Sequence, residues 1–296
     1  MSAVPPSAVP PLERLTRPSP LRSLTFGDWR LTHVPDGMVQ LRPEGWFTGL
    51  GPDDLAALVP YQDPDGFLVA SVGGLLVEHQ GRALLIDAGF GPRRLEAAQT
   101  HPALGVLAGG DLITFLETAA AGARAVDTVA FTHLHDDHIG WVLAGDGSHF
   151  EGVTSFVLSA AEWREGGGLL PTRLADRVRT VPDGGEVFPG VTLREWPGHT
   201  GGHAGYEVDL PADRPGDDGV RRVLVLGDAL HSPAQAAHPE WRVFFDSADE
   251  EAVRTRRAVL EEAARPGTLC YAGHFADVVF GRVEVTDGGH RWQPVE

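Results

Sequence analysis

The sequence predicts an α+β protein in which two mixed β-sheets pack face to face under a cover of helices. Two observations carry this expectation. Short apolar strands recur in both halves of the chain with helical segments between them, and no stretch after residue 20 is long enough to link a second domain. A third observation fixes where function should lie. Several of these strands end on His or Asp, which places chemistry-bearing groups along one rim.

The elements follow in order. Residues 1–20 are proline-rich and read as a flexible or loosely docked tail, with one folded domain over 21–296. Leu24-Thr25-Phe26 and Trp29-Arg30-Leu31-Thr32 alternate around Gly27-Asp28, a hairpin signal. Phe67 to Glu78 and Ala83 to Ile86 form a second strand pair around Gln80-Gly81, ending in Asp87-Ala88-Gly89. Asp111 to Ala121 has helical spacing, and Val126 to Phe131 is a strand running into a histidine cluster. Strands are expected at 155–158, 191–196, 205–210, 221–226 and 269–272, with helices from Ala160 and near Thr172–Val178. Ser247-Ala248-Asp249-Glu250 reads as a capping box opening a helix that ends near Ala264, before Pro266-Gly267.

Composition narrows the function classes. A chain of 296 residues with 42% apolar and 22% charged residues can bury a substantial core. Its formal charge of −17 comes from 24 Lys+Arg against 41 Asp+Glu, and no basic run offsets it, so a nucleic-acid partner is not expected. The single cysteine, Cys270, lies in an apolar strand and reads as a small core residue, with no internal disulfide available. No stretch has the continuous apolar length of a membrane span or a signal peptide, so the expected location is cytoplasmic, with no membrane partner.

The chemistry concentrates in His133-Leu134-His135-Asp136-Asp137-His138, drawn from a chain with only 13 histidines. Imidazole and carboxylate donors suit zinc. These donors cannot all face one point on a strand or helix, but a loop can turn His133 and His135 to one ion and Asp137 and His138 to a second. His199, after Pro197-Gly198, supplies a third nitrogen for the first ion. His274 supplies a third protein ligand for the second, and Asp228 can bridge. Taken alone, Gly227-Asp228 is also what a turn looks like, and His274 what a structural histidine looks like.

Five motifs then stand in order: Leu85-Ile86-Asp87-Ala88-Gly89, Thr132 to Gly140, Pro197 to His203, Gly227-Asp228-Ala229 and Gly273-His274. With them the chain resembles the metallo-β-lactamase fold superfamily from about residue 21 to its end. The resemblance implies a four-layer αβ/βα sandwich with a dinuclear site at one edge, usually holding two Zn2+, with Mn, Fe or Co as other options. It assigns His133, His135 and His199 to the first metal, Asp137, His138 and His274 to the second, and Asp228 to both. Asp87 would support the histidine loop, Asp136 would stand outside the site, and His203 would be a non-ligand.

Gly227-Asp228-Ala229-Leu230-His231, with Gln235, Pro239, Phe245-Asp246 and Thr255-Arg256, looks like the methyl parathion hydrolase branch and its related quorum-quenching lactonases. The implied function is hydrolysis of a lactone or carboxylic ester, such as an N-acyl-homoserine lactone, by a metal-bridging hydroxide. The alternatives are a phosphotriester hydrolase and a non-catalytic or biosynthetic protein of the same fold. Asp137 is the candidate proton handler. His231 stands where lactonases of this kind often carry Tyr and is a candidate donor or proton shuttle, or else a solvated helix-start residue. Trp46, Phe47, Trp141, Phe244, Phe245, Phe275 and Phe280 are candidates for an apolar mouth or for the core. The segment around Trp46-Phe47 is also a candidate lid or homodimer contact.

Overall fold

The strand at Leu68–His79 alternates between two cores. Leu75 and Val77 point to one side, and Leu76 points to the other. The same division recurs at Arg82–Ile86, where Leu84 and Ile86 oppose Leu85, and at Arg222–Val225, where Val223 and Val225 oppose Leu224. Period-two alternation with both faces apolar requires a layer on each side of each sheet. The computed structural model, which describes residues 12–119, 126–145, 148–211 and 219–295, has that construction. The central core joins Leu31, Leu75 and Ile86 of one sheet to Leu193, Tyr206, Val208 and Val225 of the other. Burying each such side chain is worth roughly 1.5–3 kcal/mol.

Among the described residues, the first sheet runs in the order Val178–Val181, Ser155–Ser159, Val126–Ala130, Arg82–Ile86, Leu68–His79, Trp29–Leu41, Leu104–Ala108, Arg94–Leu95, with Arg22–Phe26 also paired to Trp29–Leu41. The second runs Glu186–Phe188, Val191–Glu195, Ala204–Asp209, Arg222–Val225, Thr268–Tyr271, Phe280–Thr286, Gly289–Pro294. Both are mixed: Arg82–Ile86 lies parallel to Val126–Ala130, and Arg222–Val225 parallel to Thr268–Tyr271, among antiparallel neighbours. Outside the first sheet, Leu112–Thr118 and Asp136–Leu143 bury Leu112, Leu116, Ile139 and Val142 against Leu76 and Leu85. Outside the second, Asp249–Ala263 buries Val259, Leu260 and Ala263 against Leu224, Leu226 and Cys270. The fold is the expected α+β, αβ/βα sandwich.

Three expectations need correction. The strand expected over Trp29 to Thr32 extends to Leu41 and runs straight through Pro35-Asp36-Gly37. The ladder takes a bulge between Pro35 and Gly37, and the bulge aims Asp36 inward. There its carboxylate accepts from the main-chain N–H groups of Phe90, Gly91, Gly110 and Leu112 and from Trp141 Nε1. Second, no capping box forms at Ser247. Ala248 is the N-cap, and the Ser247 hydroxyl donates to Gly198 O instead. Third, the proline-rich segment is not a loose tail over residues 12–20. Leu12–Leu15 is a helical turn with Arg14 and Leu15 buried, and Ser19 is buried as well. Residues 1–11 of that expected tail lie outside the described residues, as do Ala120 and Ala121 of the helix expected over 111–121. The described helix there is Leu112–Thr118.

Candidate metal centre

Each candidate ligand sits where an element of one sheet or the other stops. Val126–Ala130 ends short of Thr132, and the chain then turns at His133 to His135 before Asp136–Leu143 begins, with His135 as N-cap. Asp87, just past Arg82–Ile86, adopts a left-handed conformation (φ 64°) that costs about 1 kcal/mol or more in a non-glycine residue. That conformation turns its carboxylate under the turn. Oδ1 accepts from Thr132 N (2.8 Å), and Oδ2 accepts from Thr132 Oγ1 (2.9 Å) and His138 Nδ1 (2.9 Å).

From the second sheet, Pro197-Gly198-His199 follows Val191–Glu195 and is clamped by the long helix. Ser247 N donates to His199 O and Ala248 N to Gly198 O, and a Cβ at Gly198 would fall 2.4 Å from Ala252 N. Only glycine allows that approach. The N–H of Asp228 donates to His203 Nε2 (2.9 Å), so His203 carries its proton on Nδ1 and donates to Trp196 O (2.8 Å). His203 is thus a brace for Asp228. Glu162 ties the two sheets' loops together: its carboxylate accepts from Leu134 N (2.8 Å) and from Thr200 Oγ1 (2.6 Å).

The predicted ligands converge. His133, His135 and His199 offer ring nitrogens that lie within 4.8 Å of one another, and so do the donor atoms of Asp137, His138 and His274. Asp228 stands between the two triads. Its Oδ1 is 3.3 Å from His138 Nε2 and 3.2 Å from His274 Nε2, whereas its Oδ2 is 3.4 Å from His199 Nε2 and 3.9 Å from His133 Nε2. Asp136 points away, toward Arg93. His231 is buried rather than solvated, with Nε2 3.1 Å from Asp228 Oδ2, and it forms a further metal-capable group with His199 and Asp228.

The donor set fits divalent cations. His133 Nε2, His138 Nε2, Asp228 Oδ1 and His231 Nδ1 are buried without a hydrogen-bond partner among the described residues, a costly state for polar atoms unless something else binds them. Imidazole nitrogen with carboxylate oxygen is a donor set that suits zinc. The electrostatics agree. Burial alone would disfavour the charge on Asp228, but His274 and His138 outweigh it and hold the carboxyl well below the usual range. Burial likewise disfavours protonated His138, yet Asp228, Asp137 and Asp87 outweigh it and push the imidazole up. His199, by contrast, is pushed down to about 3 by burial, and burial keeps His133 low as well. Asp228 and Asp137 likewise outweigh burial at His274 and push it up to about 9, so a cation in the second triad would displace protons from His138 and His274.

Sequence reasoning named Asp87 as a support and quoted Asp246 and Arg256 only as part of a motif, and it gave no aiming role to Asp246, Arg256 or Ser71. Asp246 Oδ1 holds His199 Nδ1 at 2.9 Å, and its other oxygen pairs with the buried Arg256 at 3.3 Å. The main-chain oxygen of Ser71 accepts from His274 Nδ1 at 2.8 Å. Neither partner is near its histidine in sequence, so spacing does not reveal the contact. Of the aromatic candidates, Trp46 and Phe245 line a cavity of about 320 Å³ that opens on the ligand cluster. Phe47, Trp141, Phe275 and Phe280 are buried in the hydrophobic cores instead, and Phe244 lies exposed against His101.

No curated protein matches the chain in sequence. Solved structures of the same fold are numerous. AidC, a dizinc quorum-quenching lactonase, superposes with a TM-score of 0.74 at 19% identity, covering 94% of this chain and 98% of its own. AbOPH, a hydrolase of the beta lactamase superfamily, gives 0.74 at 23% identity with coverage of 94% and 98%. An N-acyl homoserine lactone hydrolase gives 0.58 at 18% identity, covering 85% and 94%. At these identities the likeness speaks for the fold. The model of the metallo-beta-lactamase superfamily matches residues 74–274, which span four of the ligand-bearing turns described above and the Asp87 turn that supports them. With more than half its length matched and its His and Asp residues gathered at one rim of the αβ/βα sandwich, the chain belongs to the metallo-beta-lactamase superfamily.

Proposed function

We propose that this chain is a dizinc hydrolase of lactones or carboxylic esters, allied to the methyl parathion hydrolase and quorum-quenching lactonase branch. The observation that carries the reading is the cavity over the ligand cluster. Val39, Leu41, Leu104, Leu107, Leu134 and Leu169 line it, and among the described residues no Lys or Arg lines it. Such a wall favours an uncharged, lipophilic substrate and gives an anionic one no counter-charge beyond the metals. The bound ions would supply Lewis acidity and a nucleophile active at neutral pH. The seven metal positions proposed are His133, His135 and His199, Asp137, His138 and His274, with Asp228 shared.

The chain's own residues would divide the remaining work. The apolar wall excludes water and holds an acyl or aryl group. Asp137 is partly exposed to the cavity and would accept and pass on a proton. Burial opposes its charge, but His138 and His274 outweigh that and keep it ionised below the usual carboxylate range. His231 takes its place from Gln235, whose Oε1 accepts from His231 N at 2.7 Å, and from Trp46, which meets its ring edge-on. It is thereby directed at Asp228 and lines the cavity, where it would orient the substrate's carbonyl side.

An aryl phosphotriester is also uncharged and lipophilic, and the same wall accommodates it, so it is the second reading. The test is a panel of a homoserine lactone, an aryl carboxylic ester, an aryl phosphotriester and a β-lactam, assayed on zinc-loaded and chelator-stripped protein. We expect the lactone or the carboxylic ester to be turned over fastest, and only with metal. Preference for the phosphotriester would select the second reading, and turnover surviving complete metal removal would sink both.

A further inference from the structure

The segment read in sequence as a loose tail ends up wrapped around the loop that carries His274. Asp277, three residues beyond that histidine, is fully buried and meets three guanidinium groups. Arg17 donates through Nε and Nη2 to Oδ2 at 3.0 and 2.8 Å, and Arg22 through the same pair to Oδ1 at 2.8 and 2.5 Å. Arg14 donates to the main-chain oxygen of Asp277 at 3.0 and 2.7 Å, while its own carbonyl accepts from Asp277 N at 3.0 Å. Leu15 packs into the same core as Phe275 and Val278.

A second set of bonds runs through Ser71. Ser19 N donates to Ser71 Oγ at 2.7 Å, and that hydroxyl donates to Ala276 O at 2.8 Å. The main-chain oxygen of the same residue takes the Nδ1 proton of His274, which leaves Nε2 to face Asp228 and Asp137 at 3.2 and 3.6 Å. Between the two lies Ala276 in a left-handed conformation (φ 40°), which persists only where its surroundings hold it.

We propose that residues 14–22 form a strap that positions His274 and so sets the affinity of the second ion site. The strap grips the His274 loop at two adjacent residues, by three arginines at Asp277 and by Ser19 through Ser71 at Ala276. Among the described residues the first triad has no such tie: Thr132 meets His133, Asp246 meets His199, and Glu162 holds the neighbouring Leu134 and Thr200. Arg14, Arg17, Ser19 and Arg22 are positioning residues that act through the loop. The proposal rests on the dinuclear reading above.

The test is zinc titrated against a competing chelator in the full-length wild type, in Arg17→Ala and in Arg17→Ala/Arg22→Ala. Arg82→Ala, which removes an exposed ion pair with Asp127 far from the loop, serves as control. We expect the double variant to lose about ten-fold or more in second-ion affinity, the range for groups that orient a metal ligand. First-ion affinity should match wild type, the single variant should fall between, and Arg17→Lys should recover part of the loss. If the double variant does not fold, Arg17→Ala gives the same readout, since that side chain is about half exposed. Equal weakening of both ions, or a lower melting temperature with both affinities unchanged, overturns the proposal. A wild type that binds only one ion overturns the dinuclear reading and the proposal with it. Two ions in wild type and unaltered affinities in every variant overturn the proposal alone.

Discussion

His199 and His138 each hand their Nδ1 proton to a buried side-chain carboxylate, Asp246 and Asp87, whereas His274 hands its own to a main-chain oxygen, that of Ser71. Both devices fix the ring so that Nε2 faces inward, and a carboxylate also makes the imidazole a stronger donor. They differ in what can disturb them. A carboxylate can be changed by one substitution. A main-chain oxygen moves only if the strand or the loop opposite it moves, which is why the His274 side of the centre leans on packing from as far away as Arg14. The first triad is therefore governed by side-chain chemistry, and the second by backbone geometry as well.

The largest effect should come from the residue that erases the difference. Asp228 addresses both triads, so Asp228→Asn should weaken both ions together and lower hydrolysis by more than about 100-fold, since groups that merely orient a ligand are worth roughly 10- to 100-fold. Metal analysis after dialysis reads this, and loss of one ion alone would mean that Asp228 does not bridge. Next come the two isosteric carboxylate changes. Asp246→Asn should weaken chiefly the first ion and Asp87→Asn chiefly the second, each by about 10- to 100-fold. Asp87 also holds Thr132, so some loss at the first ion should accompany it. Equal patterns in the two variants, read by chelator competition, would break the comparison. The smallest effect belongs to Ser71→Ala. It keeps the main-chain oxygen and deletes only the hydroxyl between Ser19 and Ala276, so a shift of about 2- to 10-fold at the second ion is expected for one hydrogen bond. A Ser71→Ala loss as large as that of Asp87→Asn would show the hydroxyl to matter more than the carbonyl.

What could be read from sequence divides along the same line. His133 to His138 announces itself because its donors are adjacent, and the strands announce themselves because alternation is local. The sandwich and the seven clustered donors followed from those signals together with the family's motif order. Glu162 and Asp36 gave no sign, because the groups they hold lie 28 or more residues away, and Asp246 stood in a motif without its role at His199, 47 residues off, being legible. Asp36 lies beyond the strand expected over 29–32, where the ladder takes a bulge between Pro35 and Gly37. Ser247 was misread because its hydroxyl has a better use at Gly198 than at the helix start. The strap failed for a related reason. Proline-rich text argues for looseness, and nothing in the spacing of Arg14, Arg17 and Arg22 reveals a buried carboxylate at Asp277.

Glu162 has a consequence for how such chains can be recombined. One oxygen holds the turn at Leu134 and the other holds Thr200 beside His199, so a single residue outside the ligand set keeps the two halves of the centre in line. Gly202 lies so close to that helix start that a Cβ would fall 1.9 Å from Glu162 N. A hybrid spliced between Leu134 and Glu162, or between Glu162 and Thr200, joins this carboxylate from one parent to a loop from another. Residues 134 to 200 are therefore the span within which any splice parts this carboxylate from one of its two partners.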